Sequence, residues 1–351
     1  MKRRAFLQQT SLLAIGAMAK ALPLRAASRG RRLGLSIASY RRSARFYSQD
    51  YPAWESALDV LDHCRSLNAG CLQIGVRGWT ADFAGQVRGR RESLGIALEG
   101  QVSLPRSEED LPVFEDTVRR AREAGATILR TVCLGGRRYE TFRSLDAWET
   151  FKKDSLLAVE RAEGIVRRHK VKLAVENHKD WRTEEQVAWL QRLGSEYLGV
   201  CFDFGNNLSL LEDPHQQLEK LAPYIMTTHL KDMGVAHDKD GFLLSEVPLG
   251  KGILDLNALC DRCQQSNPRI EFNLEMITRD PLQVPVFNED YWITMPNLPA
   301  RDLAWIWNQI KTRGNLDALP KVAGQSTAQR LAYEEANVRA CFQYARDFMG
   351  F

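Results

Sequence analysis

Beyond residue 30 the chain alternates between two apolar patterns. Short runs rich in β-branched residues recur at 33–39, 71–76, 96–102, 128–133, 171–176, 198–203, 225–229 and 270–275. Bounded apolar runs of this length predict buried strands. Between them, apolar residues return every three or four positions, as Trp54, Leu58, Leu61, Cys64 and Leu67 do, which predicts a helix with one apolar stripe. Ser107, followed by Glu108, Glu109 and Asp110, predicts a helix start, and Gly125 a stop. Thr183-Glu-Glu-Gln186 reads as a capping box opening a helix that ends at Gly194. Eight strands alternating with helices at intervals of roughly 25 to 45 residues match a closed (β/α)₈ TIM barrel. The competing fold, an open doubly wound sheet, expects a glycine-rich phosphate loop after its first strand, and no G-x-G-x-x-G follows Ser39.

The barrel is expected over residues 31–279. Past Thr278 the periodicity breaks into a proline-containing stretch, 280–299, with Tyr291 and Trp292. Amphipathic patterns follow at 301–313, which carries Trp305 and Trp307, and at 327–348. We read 280–351 as the eighth outer helix plus a C-terminal helical extension packed on the barrel, with no second domain.

The first residues change the picture of charge. Arg3-Arg4 precede a short apolar stretch at 12–19, followed by Lys20, Pro23 and Arg25, the order of a twin-arginine signal peptide over 1–27. A disordered basic tail is the alternative reading. The stretch is too short for a permanent membrane anchor, so the expected location is periplasmic or secreted, with the twin-arginine export machinery as a partner. The 351-residue chain has a formal charge of +4; without Lys2, Arg3, Arg4, Lys20 and Arg25 it falls to −1. The basic balance therefore belongs to this segment and gives no nucleic-acid footprint. The seven cysteines (64, 71, 133, 201, 260, 263 and 341) are odd in number and spread through the elements, so they read as reduced core residues. With 44% hydrophobic residues the chain can bury a large core, and a homo-oligomer is compatible with it.

Within L-A-V-E-N-H-K-D-W (173–181), an apolar run ends abruptly in Glu176, Asn177 and His178. A buried carboxylate needs a partner. Four of the last strand candidates end in this way, at Glu176, Asp203, His229 and Glu275, and in a barrel such ends converge on one mouth. One imidazole and three carboxylates suit one divalent metal ion, with Mn²⁺, Mg²⁺ or Co²⁺ favoured and Zn²⁺ acceptable. Singly, each residue also fits a rim carboxylate paired with a cation, a satisfied core histidine or a helix cap; together they point to a metal. Lys231, two residues beyond His229, faces the same side if the strand continues. His178, Asn206, Lys231, Glu99, Gln101 and Arg77 lie near strand ends and are candidate sugar-binding residues, although a solvated loop explains Arg77, Glu99 and Gln101 equally well. His63, His169, His215 and His237 carry no assigned role.

The stretches L-A-V-E-N-H, C-F-D-F-G-N, T-H-L-K-D, V-P-L-G-K-G with Asp255 behind it, and N-L-E-M resemble the xylose isomerase-like barrel superfamily of sugar isomerases and epimerases, over residues 33–279. The resemblance implies Glu176, Asp203, His229 and Glu275 as ligands on the last four strands, with the two glutamates exchanging protons with substrate carbon. Glu176, Glu275 and Lys231 are then the candidate catalytic residues. Asn206 departs from the pattern, which often has histidine three residues after the aspartate. The endonuclease branch of the superfamily needs further histidines and a DNA-binding charge that this chain lacks.

These readings converge on a metal-dependent isomerase or epimerase acting through an enediolate on a free or oxidised carbohydrate. Two alternatives remain open: a lyase or hydrolase of 3-keto-glycosides using the same site, and an exported carbohydrate-binding barrel without catalysis.

Overall fold

The computed structural model describes residues 30, 32–314 and 318–351. The expected signal, 1–27, lies outside the described residues. The strands in chain order are β1 (Gly34–Ser36), β2 (Cys71–Gly75), β3 (Ala97–Gln101), β4 (Ile128–Thr131), β5 (Lys172–Glu176), β6 (Leu198–Asp203), β7 (Ile225–Leu230), β8 (Asp232–Asp238), β9 (Gly241–Val247), β10 (Phe272–Leu274) and β11 (Leu282–Val284). The eight expected runs are β1 to β7 and β10. They close into one barrel in the order β1-β10-β7-β6-β5-β4-β3-β2, with every neighbouring pair parallel.

A helix follows each barrel strand: Ala57–Leu67, Ala81–Leu94, Leu111–Glu123, Leu145–His169, Thr183–Leu193, Pro214–Leu221, Leu256–Ser266 and, after β10, Thr327–Phe348. Their starts and stops are local chemistry. Ser56 and Asp59 form a capping box on the first helix, and Gly95 and Gly194 end two others in the left-handed region. The box expected at Thr183 and Gln186 sits one residue earlier. The Glu185 carboxylate accepts the Arg182 N–H at 2.9 Å, whereas Gln186 donates to the Val175 carbonyl at 3.2 Å. Trp54 lies ahead of its helix, edge-on to Tyr40. The closing helix buries Val338, Cys341, Phe342 and Ala345 in the barrel's outer core.

A three-stranded antiparallel sheet, β11-β9-β8, was not expected. It grows straight out of the barrel, because β7 passes through Lys231 into β8. Asp238-Lys-Asp-Gly241 turns the chain back into β9, a hairpin signal legible in the sequence. Met233, Val235, Phe242, Leu244 and Val284 bury a second core against Tyr291, Ile306 and Ile310. The proline-containing stretch is thus partly ordered as β11 and the short helix Glu289–Trp292, and the helix Ala300–Arg313 covers this sheet instead of the barrel. All seven cysteines are buried free thiols. No described helix is long and apolar enough to cross a membrane.

Asp232 ties the sheet to the barrel. Its buried carboxylate accepts the N–H groups of Met233 (2.9 Å), Gly250 (3.0 Å), Gly252 (2.9 Å) and Leu254 (3.2 Å). A Cβ at Gly252 would stand 2.1 Å from Asp232 Oδ1, so only glycine allows this approach. Asp255 then caps the next helix by accepting from Ala258 N. The Asp232→Ala variant leaves several buried donors without an acceptor and is expected to lose about 3 kcal/mol of stability; urea unfolding measures this, with Asp232→Asn falling in between.

Candidate metal centre

Strands β5, β6, β7 and β10 are consecutive around the barrel and end on one rim. Glu176 closes β5 and Asp203 closes β6, directly opposite His229 on β7, and Glu275 follows the last residue of β10. All four side chains are buried, and one donor atom from each lies within 4.8 Å of all the others. His229 Nδ1 stands 3.3 Å from Glu176 Oε2, 3.3 Å from Glu275 Oε1 and 3.7 Å from Asp203 Oδ2.

The tautomer of His229 follows from its neighbour. Its Nε2 lies 2.7 Å from Gln73 Oε1, an atom that only accepts, so Nε2 carries hydrogen and Nδ1 presents a lone pair in the neutral ring. Gln73 is itself oriented, donating to Glu99 Oε2 at 3.1 Å and accepting from Gln101 Nε2 at 2.9 Å. The Nδ1 lone pair is buried without a hydrogen-bond partner and faces three carboxylates. Such an arrangement favours positive charge at its centre. Donor atoms this closely spaced, three of them hard oxygens, fit a small divalent ion, for which ligand bonds run about 2.0–2.2 Å. Without a metal the proton fills that role. Burial disfavours imidazolium, but the Glu275 and Glu176 carboxylates outweigh it and hold His229 well above its ordinary value.

Two further cations balance the carboxylates. Arg130 on β4 donates from Nε to Glu176 Oε2 at 2.6 Å. Lys231 Nζ lies 2.7 Å from Asp203 Oδ2 and 2.5 Å from Glu275 Oε2. Burial alone would raise both glutamates; Arg130 and His229 hold Glu176 well below the usual range, and His229 and Lys231 hold Glu275 down to about 2. Lys231, buried among these acids, stays well above an ordinary lysine. Asp203 Oδ1 accepts the N–H groups of Gly205 and Asn206 at 2.9 and 2.8 Å, fixing its plane.

The remaining candidates separate. Asn206 Nδ2 donates to Glu176 Oε1 at 2.8 Å while its Oδ1 accepts from Lys179, so it orients that carboxylate. Glu99 lies in the barrel interior below the mouth, where its Oε2 accepts from Gln73, Thr227 and Asn273. It props the residue that orients His229 and is not at the surface a sugar would meet. Gln101 and Arg77 line a cavity at the ends of β2 to β4 together with Arg130. His178 stands at the rim, its Nδ1 2.8 Å from the Leu134 carbonyl.

Sequence reading missed Gln73, Arg130 and Lys179. The first two are single polar residues inside apolar strand runs, the same signal that marks Glu176. Lys179 gives no such signal, since it is buried by a left-handed turn at φ 50°. Cys201 lies within reach of Glu176 and His229, but burial pushes its thiol up to about 11, which keeps it neutral. From the unexpected sheet comes Glu246, paired with Arg279 at 2.6 and 3.0 Å.

Fold and site together define an eight-stranded α/β barrel with a histidine and three carboxylates converging at one rim. The xylose isomerase-like TIM barrel family matches residues 100–305, more than half of the chain, and the chain belongs to that family. Among curated proteins it is similar to 3-oxo-isoapionate decarboxylase of Pectobacterium atrosepticum, 33% identical over 93 residues, which is 26% of this chain and 34% of that protein. An uncharacterized protein of Escherichia coli is 29% identical over 85 residues, 24% of this chain and 26% of that one. These matches span about a third or less of the curated relatives' length. Among solved structures, D-psicose 3-epimerase in the presence of D-fructose aligns with a TM-score of 0.59 at 11% identity, over 91% of this chain and 100% of that one. A xylose isomerase-like TIM barrel protein from Mycobacterium smegmatis in complex with magnesium aligns at 0.52 and 14%, over 82% and 99%. At such identities these two show the fold.

Burial lowers His178 to about 4, against a weaker opposing pull from Glu176. A histidine depressed below its unfolded value of about 6.5 leaves the fold fully stable above that pH and weakens it as pH falls toward 4. Urea midpoints measured between pH 7 and pH 5 should therefore drop, and His178→Asn, which keeps a donor for Leu134, should flatten that part of the profile.

Proposed function

We propose that this chain is a divalent-metal-dependent enzyme that forms an enediolate from a free or oxidised carbohydrate and works as a sugar isomerase or epimerase. The buried lone pair of His229 Nδ1, facing three carboxylate oxygens, carries the reading. Glu176, Asp203, His229 and Glu275 would hold the ion, with Mn²⁺, Mg²⁺ or Co²⁺ favoured by the oxygen-rich set and Zn²⁺ accepted. When bound, the ion would polarise a substrate carbonyl and favour the negative charge of an enediolate.

The chain's own residues supply the proton chemistry. Glu176 and Glu275 are held ionised at neutral pH, the form in which a carboxylate accepts a proton, and the two would act on opposite faces of the substrate as base and acid, the acid first taking up a proton from water. Arg130 and Asn206 fix the Glu176 carboxylate from two sides, and Lys231 fixes Glu275. The Lys231 ammonium also keeps a positive charge beside the place where negative charge develops. His178 and Gln101 stand at the rim, where sugar hydroxyls would be met.

A second reading keeps the same first proton transfer but ends by expelling a leaving group, as a 3-keto-glycoside lyase or hydrolase would. The partial match to a decarboxylase, an enzyme that breaks a bond, favours keeping it. The proposal also includes export by the twin-arginine route to the periplasm or medium, motivated by Arg3-Arg4 and the apolar stretch behind them.

Elemental analysis of the purified chain should find about one divalent ion per molecule. Glu275→Gln and His229→Ala should each weaken Mn²⁺ binding by more than about 100-fold, beyond the loss typical of a residue that only orients a ligand. A wild type that neither carries nor takes up metal defeats the proposal. With turnover established, release of aglycone from a keto-glycoside would select the second reading, and an altered sugar with its glycosidic bond intact the first. Carbohydrate binding without turnover, unaffected by Glu275→Gln, would identify a binding protein instead.

A further inference from the structure

Away from the barrel mouth, the C-terminal extension closes a cleft against two barrel helices. The cavity, about 570 Å³, lies where the helices Thr183–Leu193 and Pro214–Leu221 meet the start of Ala300–Arg313. That volume falls in the range of small-molecule sites, roughly 300–1,000 Å³. Glu176, Asp203, His229 and Glu275 do not line it, and the proposed reaction does not use it.

Its wall carries many charges that answer one another. Arg182 pairs with Asp302 at 2.8 Å and stands 3.7 Å from Glu212, while Lys220 pairs with Glu184. Arg301 is 3.8 Å from Asp302. Asp213 accepts from the His215 N–H at 2.9 Å and from Gln216 Nε2 at 3.3 Å. Burial raises the Glu212 carboxyl, which accepts the Thr183 N–H at 3.1 Å. An ion entering the cleft finds these groups already engaged.

Two neutral features are left over. Gln217 lines the cavity and is only 2% exposed, and its Nε2 is buried with no hydrogen-bond partner. An orphaned amide of this kind is costly, and it calls for a partner that the chain itself does not supply. The terminal torsion of glutamine is broad, so a rotation of the amide turns either a donor or an acceptor toward the cavity. Trp305, half-buried on the second core, adds an apolar surface together with Leu298 and Pro299. A purely apolar ligand would leave Gln217 orphaned. A pyranose ring meets both demands, since its hydroxyls donate and accept while its C–H face is apolar and suits an indole.

We infer that this cleft is a second binding site, for an uncharged sugar ring, with Trp305 against the apolar face and Gln217 on the hydroxyls. It stands apart from the metal centre in residues and in chemistry, so either reading can fail alone.

Isothermal titration of the full chain in EDTA with D-glucose, maltose and cellobiose tests it, with sorbitol, an open-chain polyol that has no ring face, as the comparison. At least one sugar should bind at one site per chain with a Kd of roughly 1–10 mM, about 10-fold tighter than sorbitol. Trp305→Ala should weaken that binding about 10-fold. Trp307→Ala should not change it, because Trp307 packs on His237 and Phe287 and does not line the cavity. Gln217→Leu should weaken binding about 5-fold yet hold or raise the urea midpoint of the sugar-free chain, because it removes an orphaned donor. No sugar binding below about 50 mM, sugars no tighter than sorbitol, undiminished binding in a folded Trp305→Ala chain, or a Gln217→Leu chain that loses stability but keeps its affinity would overturn the inference. So would binding seen with Mn²⁺ and abolished by EDTA, which places the sugar at the metal centre and supports that reading instead. Binding that persists in EDTA supports the cleft whatever metal the chain takes up.

Discussion

Three carboxylates and an imidazole are gathered inside a barrel mouth where water does not reach them. Like charges a few ångströms apart in a low-dielectric interior repel strongly, and each would favour its neutral form if left alone. The arrangement persists because positive charge is built in around it: Arg130 on one side of Glu176, and Lys231 bridging Asp203 and Glu275. Even so, His229 Nδ1 is left facing the acids with an unshared pair. At the centre the same acids favour a further positive charge and hold the His229 imidazole well above its ordinary value.

The imidazole is held in place from below. Beneath the rim the barrel interior is polar, with Gln73, Glu99, Thr227 and Asn273 joined by hydrogen bonds that begin at His229 Nε2. Burial raises Glu99 to about 7, the cost of placing a carboxyl where only neutral donors meet it. The apolar seal is moved to the outer shell, between strands and helices, and to a second core under the β8-β9-β11 sheet. Asp232, next to Lys231, anchors that sheet and its following turn with four backbone hydrogen bonds. Position 231–232 therefore serves the charge balance of the site and the construction of the fold in adjacent residues.

Much of this was legible along the chain. Glu176, Asp203, His229 and Glu275 stood out because each interrupts or ends an apolar run where a charge is costly, and barrel topology then brings such ends together. By the same rule Gln73 and Arg130 were visible, as polar residues within C-L-Q-I-G-V and I-L-R-T-V-C, yet a strand interior does not say which neighbour a side chain will meet. The hairpin turn at Asp238 to Gly241 was likewise legible. Its sheet was not, because β8 follows β7 with a single residue between and the charged pair Lys231-Asp232 at that junction reads as the end of a strand.

The sequence by itself determined the barrel, the alternation of its elements and the four polar strand ends that meet at one rim, since periodicity, caps and the expense of buried charge are local properties. Only the tertiary structure decided how those charges are shared. The pairing of Arg130 and Asn206 with Glu176 and of Lys231 with two acids depends on distances between strands far apart in sequence. The inward turn of Lys179 depends on one backbone angle. Electrostatic energy varies with separation and burial, and neither is written in the order of residues.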